Sequence, residues 1–345
     1  MLPIGSFFCA QDSVPVSNAR RPTVASKPWD FDCVSPRFTV FLVGMKCDAM
    51  QPNSERGECL PPPVWSGLLL AHRERAQGWT LPTLDRRSRQ IVHPVEDFLF
   101  TYYPYKLGKL EQWHPGYGVS LECGEEQRPE WMQRYYQWRD GRLFVSVEGL
   151  EDKEKARLHW ILALLRNTAA QAGNFGCFGM HEWAMVYRAE SVRHGEVVAL
   201  RLPAEEIARF VESRPIRCTH YDAFRFFTPA ARPLNQLQPT LDGRSVMEQP
   251  GCIHANMDLY KWAFKCQPWI PGALLLDAFA LAKDLREIDM RASPYELSDY
   301  GYEPIAIETV EGRREYEAAQ RMLADRAAVL RQRLIGCLEN VVAAF

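Results

Sequence analysis

"PGALLLDAFALAKDLREIDMRA", residues 271–292, reads as one long helix whose density of apolar residues calls for burial on most of its surface. Its most apolar part, "GALLLDAFALA" (272–282), is far shorter than a bilayer span and carries Asp277, so the helix belongs in a protein core. A buried helix needs others to cover it. "EDKEKARLHWILALLRNTAAQA" (151–172) is amphipathic with an acidic first turn. "EGRREYEAAQRMLADRAAVLRQRLIGCLENVVAA" (311–344) places Tyr316, Leu323, Leu330, Leu334, Leu338 and Val341 at three-to-four spacing. "PPPVWSGLLLAHRERA" (61–76), "HPVEDFLFTYYPY" (93–105) and "PAEEIARFVES" (203–213) each start a helix at a proline. Strand patterns are few: "YGVSLE" (117–122), "GRLFVSVEGL" (141–150) and "EVVALRL" (196–202). The expected fold is mainly α with a small β-sheet (α+β), in one large helical domain over 61–345.

Residues 1–60 differ from the rest. They are rich in Pro, Ser, Asn and Asp, and their six basic residues cancel six acidic ones. Such a segment buries little, so it is expected to be a mobile N-terminal extension, with Met50 a plausible true start of translation. For the whole chain the net charge is −2, which excludes a global field drawing it onto nucleic acid or anionic lipid. Ten cysteines without a C-x-x-C pair argue against a zinc ribbon, a thioredoxin-type site and a disulfide scaffold, and fit reduced thiols in the cytoplasm. Neither a secretory signal nor a membrane span is legible, and nothing marks a protein partner.

Five of the eight histidines stand among acids and aromatics: "HPVED" (93–97), "WHPGYG" (113–118), "MHEW" (180–183), "THYDAFRFF" (219–227) and "HANMDLYKW" (254–262). On a helix, His254, Asp258, Lys261 and Lys265 share one face, whereas His220 and Asp222 meet only on a strand or in a turn. The mixture fits a polar pocket doing acid–base work with His181, Glu182, His220, Asp222, His254 and Asp258. Trp183, Tyr221, Tyr260 and Trp262 would wall off a flat ligand. His93 has the simpler reading of a helix cap, with Pro94 next and Glu96 three on. His159 and His194 read as structural.

Cys177, Cys218 and Cys252 accompany His181, His220 and His254. No pair has a structural-zinc spacing, so no cofactor is expected; a transition metal, if bound, would use those three histidines. "RRSRQ" (86–90) is either a phosphate contact or a solvated loop. "GNFGCFG" (173–179) lacks the spacing of a phosphate loop and reads as a tight turn.

"NFGCFGMHEWAMVYR" (174–188), "RCTHYDAFRFFTPAARPLN" (217–235) and "QPGCIHANMDLYKWAFK" (249–265), with "HPVEDFLFTYYPY" and "LREIDMRASPYEL" (285–297), carry a resemblance. Together they resemble a bacterial family, common in actinobacteria, usually labelled 3-methyladenine DNA glycosylase, from about residue 62 onward. The resemblance implies a DNA-repair N-glycosylase acting on alkylated DNA. The chain shows neither a helix–hairpin–helix with its catalytic aspartate nor the zinc pattern of the small bacterial enzyme, so no catalytic residue transfers by motif. A glycosylase must extrude a cationic base and stabilise positive charge developing on the sugar. Asp258, flanked by Tyr260 and Trp262, is the first candidate for that carboxylate and Glu182 the second, with Lys261 and Arg225 holding phosphates. The alternative is a histidine- and carboxylate-dependent enzyme acting on a small molecule or nucleotide, with or without a metal. Both require segments 93–105, 177–188, 217–228 and 251–262 to converge on one pocket.

Overall fold

The long helices assemble around α10 (Gly272–Arg291), the segment read above as buried, in a computed structural model that describes residues 57–190 and 198–345. Before it in the chain come α1 (Pro62–Ser88), α2 (Phe98–Tyr102), α3 (Leu107–Leu110), α4 (Asp152–Ala170), α5 (Met180–Val186), α6 (Ala204–Glu212), α7 (Tyr221–Phe224), α8 (Arg244–Met247) and α9 (Ile253–Lys265). After it comes α11 (Val310–Val342). α9 packs against both α10 and α11, and α4 lies on α11 and α8. No helix among the described residues is long and apolar enough to cross a membrane.

Helix α11 follows its sequence pattern closely. Tyr316, Leu323, Leu330, Leu334, Leu338 and Val341 are all buried, and Thr309 caps the start by accepting a hydrogen bond from the Gly312 N–H at 3.0 Å. Gly312 is required there, because a Cβ would meet the Ala306 carbonyl oxygen at 2.0 Å. The expected helices over 151–172, 203–213 and 271–292 appear as α4, α6 and α10.

Four short strands form a sheet in the order β1 (Glu58–Leu60), β2 (Val119–Glu122), β4 (Arg142–Val145), β3 (Tyr136–Arg139). β1 runs parallel to β2, with Cys59 opposite Ser120, and the other pairs are antiparallel. β2 and β4 match two expected strands, while β1 lies inside the segment read as the extension. β3 was not anticipated, although its turn carries a strong signal: Asp140 and Gly141 both have positive φ, as a two-residue hairpin demands. The expected strand over 196–202 begins outside the described residues, and its remainder contributes only an isolated bridge from Leu200 to Tyr295. The remainder of the expected extension lies outside the described residues as well, as do Met50 and His194.

Two readings need correction. Residues 93–105 do not form one helix. His93 Nδ1 accepts from the Val95 and Glu96 N–H groups at 3.3 and 3.0 Å, Asp97 Oδ2 accepts from the His93 N–H, and helix begins only at Phe98. His93 thus closes a separate turn whose residues precede Phe98, while the residue that caps α2 is Asp97, so His93 is not the helix cap either. "RRSRQ" is not a loop either: α1 runs through Pro82 to Ser88, and the Arg86 guanidinium Nε donates to Asp97 at 3.0 Å.

Because Leu338 is fully buried, Leu338→Ala should lower unfolding stability by about 2–5 kcal/mol, measured by urea denaturation with an unchanged m-value.

Candidate functional site

The segment 251–265 folds as α9 because nothing after Gly251 interrupts it and its apolar side chains almost encircle the helix. Burial then reaches its polar residues too: His254, Asn256 and Asp258 have 7%, 1% and 1% of their surface exposed. A charge in that position must be met on the spot. Asp258 Oδ1 accepts from the Tyr103 hydroxyl at 2.7 Å, and Oδ2 accepts from Arg244 Nη2 at 2.8 Å and Lys261 Nζ at 3.0 Å. His220 Nε2 stands 3.4 Å from the same oxygen. Burial alone would raise the Asp258 pKa; the Lys261 charge, the His220 contact and Arg244 outweigh it and hold the carboxyl well below its usual range.

The network extends from Asp258. Arg244 also reaches Glu248 at 2.7 Å through Nε and Asp222 at 3.2 Å through Nη1, and Lys261 reaches Asp222 at 3.1 Å. His220 precedes the short helix α7, so its two-residue spacing to Asp222 works as a turn. His220 Nδ1 is buried without a partner among the described residues.

A second network lies beside the first. His181 Nε2 is 2.7 Å from Asp289 Oδ1, and its Nδ1 faces the Cys177 sulfur at 3.7 Å. The Arg286 guanidinium donates to Glu182 at 3.1 Å and approaches Asp289 at 3.4 Å. Burial pulls the His181 pKa down, but the Asp289 charge and hydrogen bond overcome it and keep the imidazolium well above its normal range. His254 behaves oppositely. Burial and the neighbouring His181 charge lower it to about 3, so it is neutral, and neither of its ring nitrogens has a hydrogen-bond partner among the described residues. Glu182 is raised by burial and by Asp289, against Arg286. The His254 ring meets His181 edge-on at 4.5 Å and lies nearly parallel to His220 at 5.5 Å, bridging the two networks.

His181 and His254 open onto a cavity with room for about one water, rimmed also by Cys177, Cys218 and Cys252. Burial pushes the Cys252 thiol up to about 12 and Cys218 well above its usual value, so neither is a ready nucleophile. Thr219 Oγ1 and Gln320 Oε1, buried without partners among the described residues, line the same space.

Segments 177–188, 217–228 and 251–262 each supply residues to one cavity, whereas segment 93–105 lines no part of it and reaches only Asp258, through Tyr103. The roles divide differently from the sequence reading. His181, His220 and His254 do not form one ligand set: His181 and His254 group with Glu182 and Asp289, and His220 with Asp222 and Asp258, the potential ligand atoms in each group lying within 4.8 Å of one another. Trp183 is fully buried, its indole N–H donating to the Ala292 carbonyl, and Tyr260 packs among Tyr103, Tyr105 and Phe279. Trp262 is enclosed by Arg244, Lys261, Lys265 and Trp160, and Tyr221 is half-buried at the start of α7. None of these four rings lines the cavity beside His254. Lys261 and Arg225 both pair with Asp222, Arg225 at 3.3 Å from an exposed position.

Tyr103, Arg244, Glu248, Arg286 and Asp289 were missed as site residues. Arg244–Glu248 and Arg286–Asp289 stand at helical spacings of four and three, and the second pair interrupts a helix otherwise built to be buried, which is the signal that marks it. The seven described cysteines form no disulfide. Comparison of the chain with protein-family models, with curated proteins and with solved structures gave no match.

Removing the Asp258 charge takes away the most buried partner of Arg244 and Lys261 and leaves them only Asp222 and Glu248, so Asp258→Asn should destabilise the fold by about 3–5 kcal/mol in urea titration. The histidines act on stability in opposite directions with pH. His181 contributes fully below pH 6.5 and loses its contribution as pH rises through its raised folded value. His254 is neutral when folded, so stability erodes as pH falls from 6.5 toward about 3 while only the unfolded chain takes up its proton. His254→Gln should therefore flatten the acid limb by up to about 1.4 kcal/mol per pH unit between roughly pH 6 and 4.

Proposed function

We propose that the chain is a histidine- and carboxylate-dependent enzyme acting on a small molecule, with His181 and His254 as its acid–base pair on the single water that the cavity they line has room for. The observation that carries this reading is their unequal anchoring. Two imidazoles 4.5 Å apart open onto one cavity, one fixed by Asp289 and the other unpartnered. One ring that holds its proton beside one that lacks it gives the cavity both a donor and an acceptor, parted by the Asp289 charge on one side and burial on the other. Glu182 and Arg286 complete the charge balance around Asp289 and orient its carboxylate.

A second reading of the same place has its own support. His181, Glu182, His254 and Asp289 are a two-histidine, two-carboxylate set of the kind that holds zinc, iron or manganese. A metal there would displace the proton from His181 and share the carboxylates with Arg286; it would supply Lewis acidity at the cavity.

The glycosylase reading draws on the sequence resemblance and asks Asp258 or Glu182 to face a sugar. Asp258 is held by Arg244 and Glu182 by Arg286, and neither lines the cavity that His181 and His254 line, so the geometry gives that reading less support.

One set of measurements separates the three. Metal content of the purified chain is measured, and turnover is screened on a panel of small esters, amides and nucleotides with and without EDTA. Turnover that survives EDTA and falls at least 100-fold in His254→Ala and His181→Ala supports the acid–base pair. Turnover lost in EDTA and restored by zinc or manganese selects the metal form. Release of 3-methyladenine from methylated DNA in EDTA, abolished by Asp258→Asn and retained by His254→Ala, would displace both in favour of the glycosylase.

A further inference from the structure

The motif "WHPGYG" (113–118) takes no part in the buried networks, yet it builds the larger of the two concavities described. Gly116 has φ of +90°, and a Cβ on it would meet the Pro271 nitrogen at 2.9 Å, so the loop lies directly on the start of α10. The Gly272 N–H donates to the His114 carbonyl and the Tyr117 N–H to the Trp269 carbonyl, both at 2.8 Å, which fixes His114 in the lining of a cleft of about 250 Å³.

Four aromatic residues from different parts of the chain line this cleft: Trp131, Tyr135, Tyr136 and Phe264. Each is already braced. Trp131 donates through its indole N–H to the Trp113 carbonyl at 3.0 Å, Tyr135 packs against Trp269, and Phe264 stacks on Tyr105 at 3.7 Å. His114 Nδ1 shares a hydrogen bond of 2.8 Å with the Tyr136 hydroxyl. Its Nε2 is left unpartnered among the described residues and is not buried. Burial and the nearby His72 and Lys109 charges lower the His114 pKa to about 3, so the ring is neutral, one nitrogen carrying a proton and one not. Gln112 and Gln133 add amides, each offering donors and an acceptor.

The charge in the lining has one sign. Lys109 and Arg134 stand at the cleft, and among the described residues no carboxylate lines it. Arg134 pairs with Glu151 and Glu154 at 3.3 and 3.2 Å but is 62% exposed, so an anion can compete for it. Arg157, close enough for its charge to act on Tyr135, has no hydrogen-bond or ion-pair partner among the described residues, and its Nε is buried unsatisfied. Rigid rings, neutral groups able to read a ring edge and exposed positive charge in the lining together describe one ligand chemistry.

We propose that this cleft binds a nucleoside phosphate, the base lodged among the aromatic rings and His114, the phosphate at Lys109 and Arg134. Its volume suits a base with its sugar and falls just short of the roughly 300–1,000 Å³ typical of drug-sized pockets. The site is separate from the His181–His254 pair and does not depend on the reading of that pair.

The test is isothermal titration of the full chain with AMP, adenosine, inorganic phosphate and a short oligo(dA), repeated on Lys109→Gln/Arg134→Gln and on Trp131→Leu. Both are changes at partly or fully exposed positions, and circular dichroism checks that each variant is folded. The expected result is one AMP per chain, with adenosine and inorganic phosphate each at least 10-fold weaker. AMP affinity should fall at least 10-fold in the charge variant and at least 5-fold in Trp131→Leu. Oligo(dA) tighter than AMP, with the same sensitivity to both variants, also supports the site and identifies its ligand as a nucleotide within a strand. Absence of binding by both AMP and oligo(dA), inorganic phosphate as tight as AMP, or affinity unchanged in folded variants would each overturn the proposal. His254→Ala, which alters the other site, should leave AMP binding unchanged.

Discussion

A carboxylate at 1% exposure in the middle of a helical core has to be neutralised where it stands, and much of this structure answers that requirement for Asp258. Its partners come from four places: Tyr103 after α2, His220 before α7, Arg244 in α8 and Lys261 one turn on in α9. Those contacts fix where the connecting segments must run. α8 is only four residues long, yet its guanidinium is held by three carboxylates and so cannot drift. Helix propensity could not hold so short a helix in place; the ion network does.

The second network applies the same rule to a different end. Asp289 is the anchor there, and its charge is divided between His181 and Arg286. Pairing one imidazole strongly leaves its neighbour with nothing, so the contrast between His181 and His254 follows from a single carboxylate being placed next to one ring and not the other. The cleft around His114 differs in kind, being walled by aromatic rings at the surface with exposed positive charge in its lining. Two environments of opposite character, one starved of water and one open to it, are carried on the same helix, since α9 supplies both His254 and Phe264.

How much of this was legible depends on what each segment had to satisfy. The helices over 151–172, 271–292 and 311–344 declare themselves because burial on one side or all round leaves a period in the sequence. β1 leaves none, since three residues at a sheet edge are too few to show alternation. The turn at 93–97 was read as helix because a capped helix start and a separate turn use the same residue types, and only geometry tells which one His93 serves. For the site, the unusual mixture of acids, imidazoles and rings correctly marked three segments that share one cavity. What it could not convey was orientation. Trp183 and Tyr260 look like ligand walls in a string of letters and are core residues in space, while Arg286 and Asp289 look like the polar stripe of a helix and are buried. The three histidines named as one set fall into two because the direction of each ring depends on partners far away in the chain.

That distance has a kinetic meaning. Asp258 meets Tyr103 across 155 residues, His181 meets Asp289 across 108, Arg286 meets Glu182 across 104, and Arg331 reaches Asn256 across 75. Each such contact repays its loop-closure entropy only once the intervening chain is in place, and contacts of high sequence separation slow folding. Until they close, each buried charge is a liability and not a bond. The buried networks therefore have no half-built form worth populating: they close with the last of the tertiary structure, and a substitution that disturbs their charges also disturbs the route by which the chain reaches its native state.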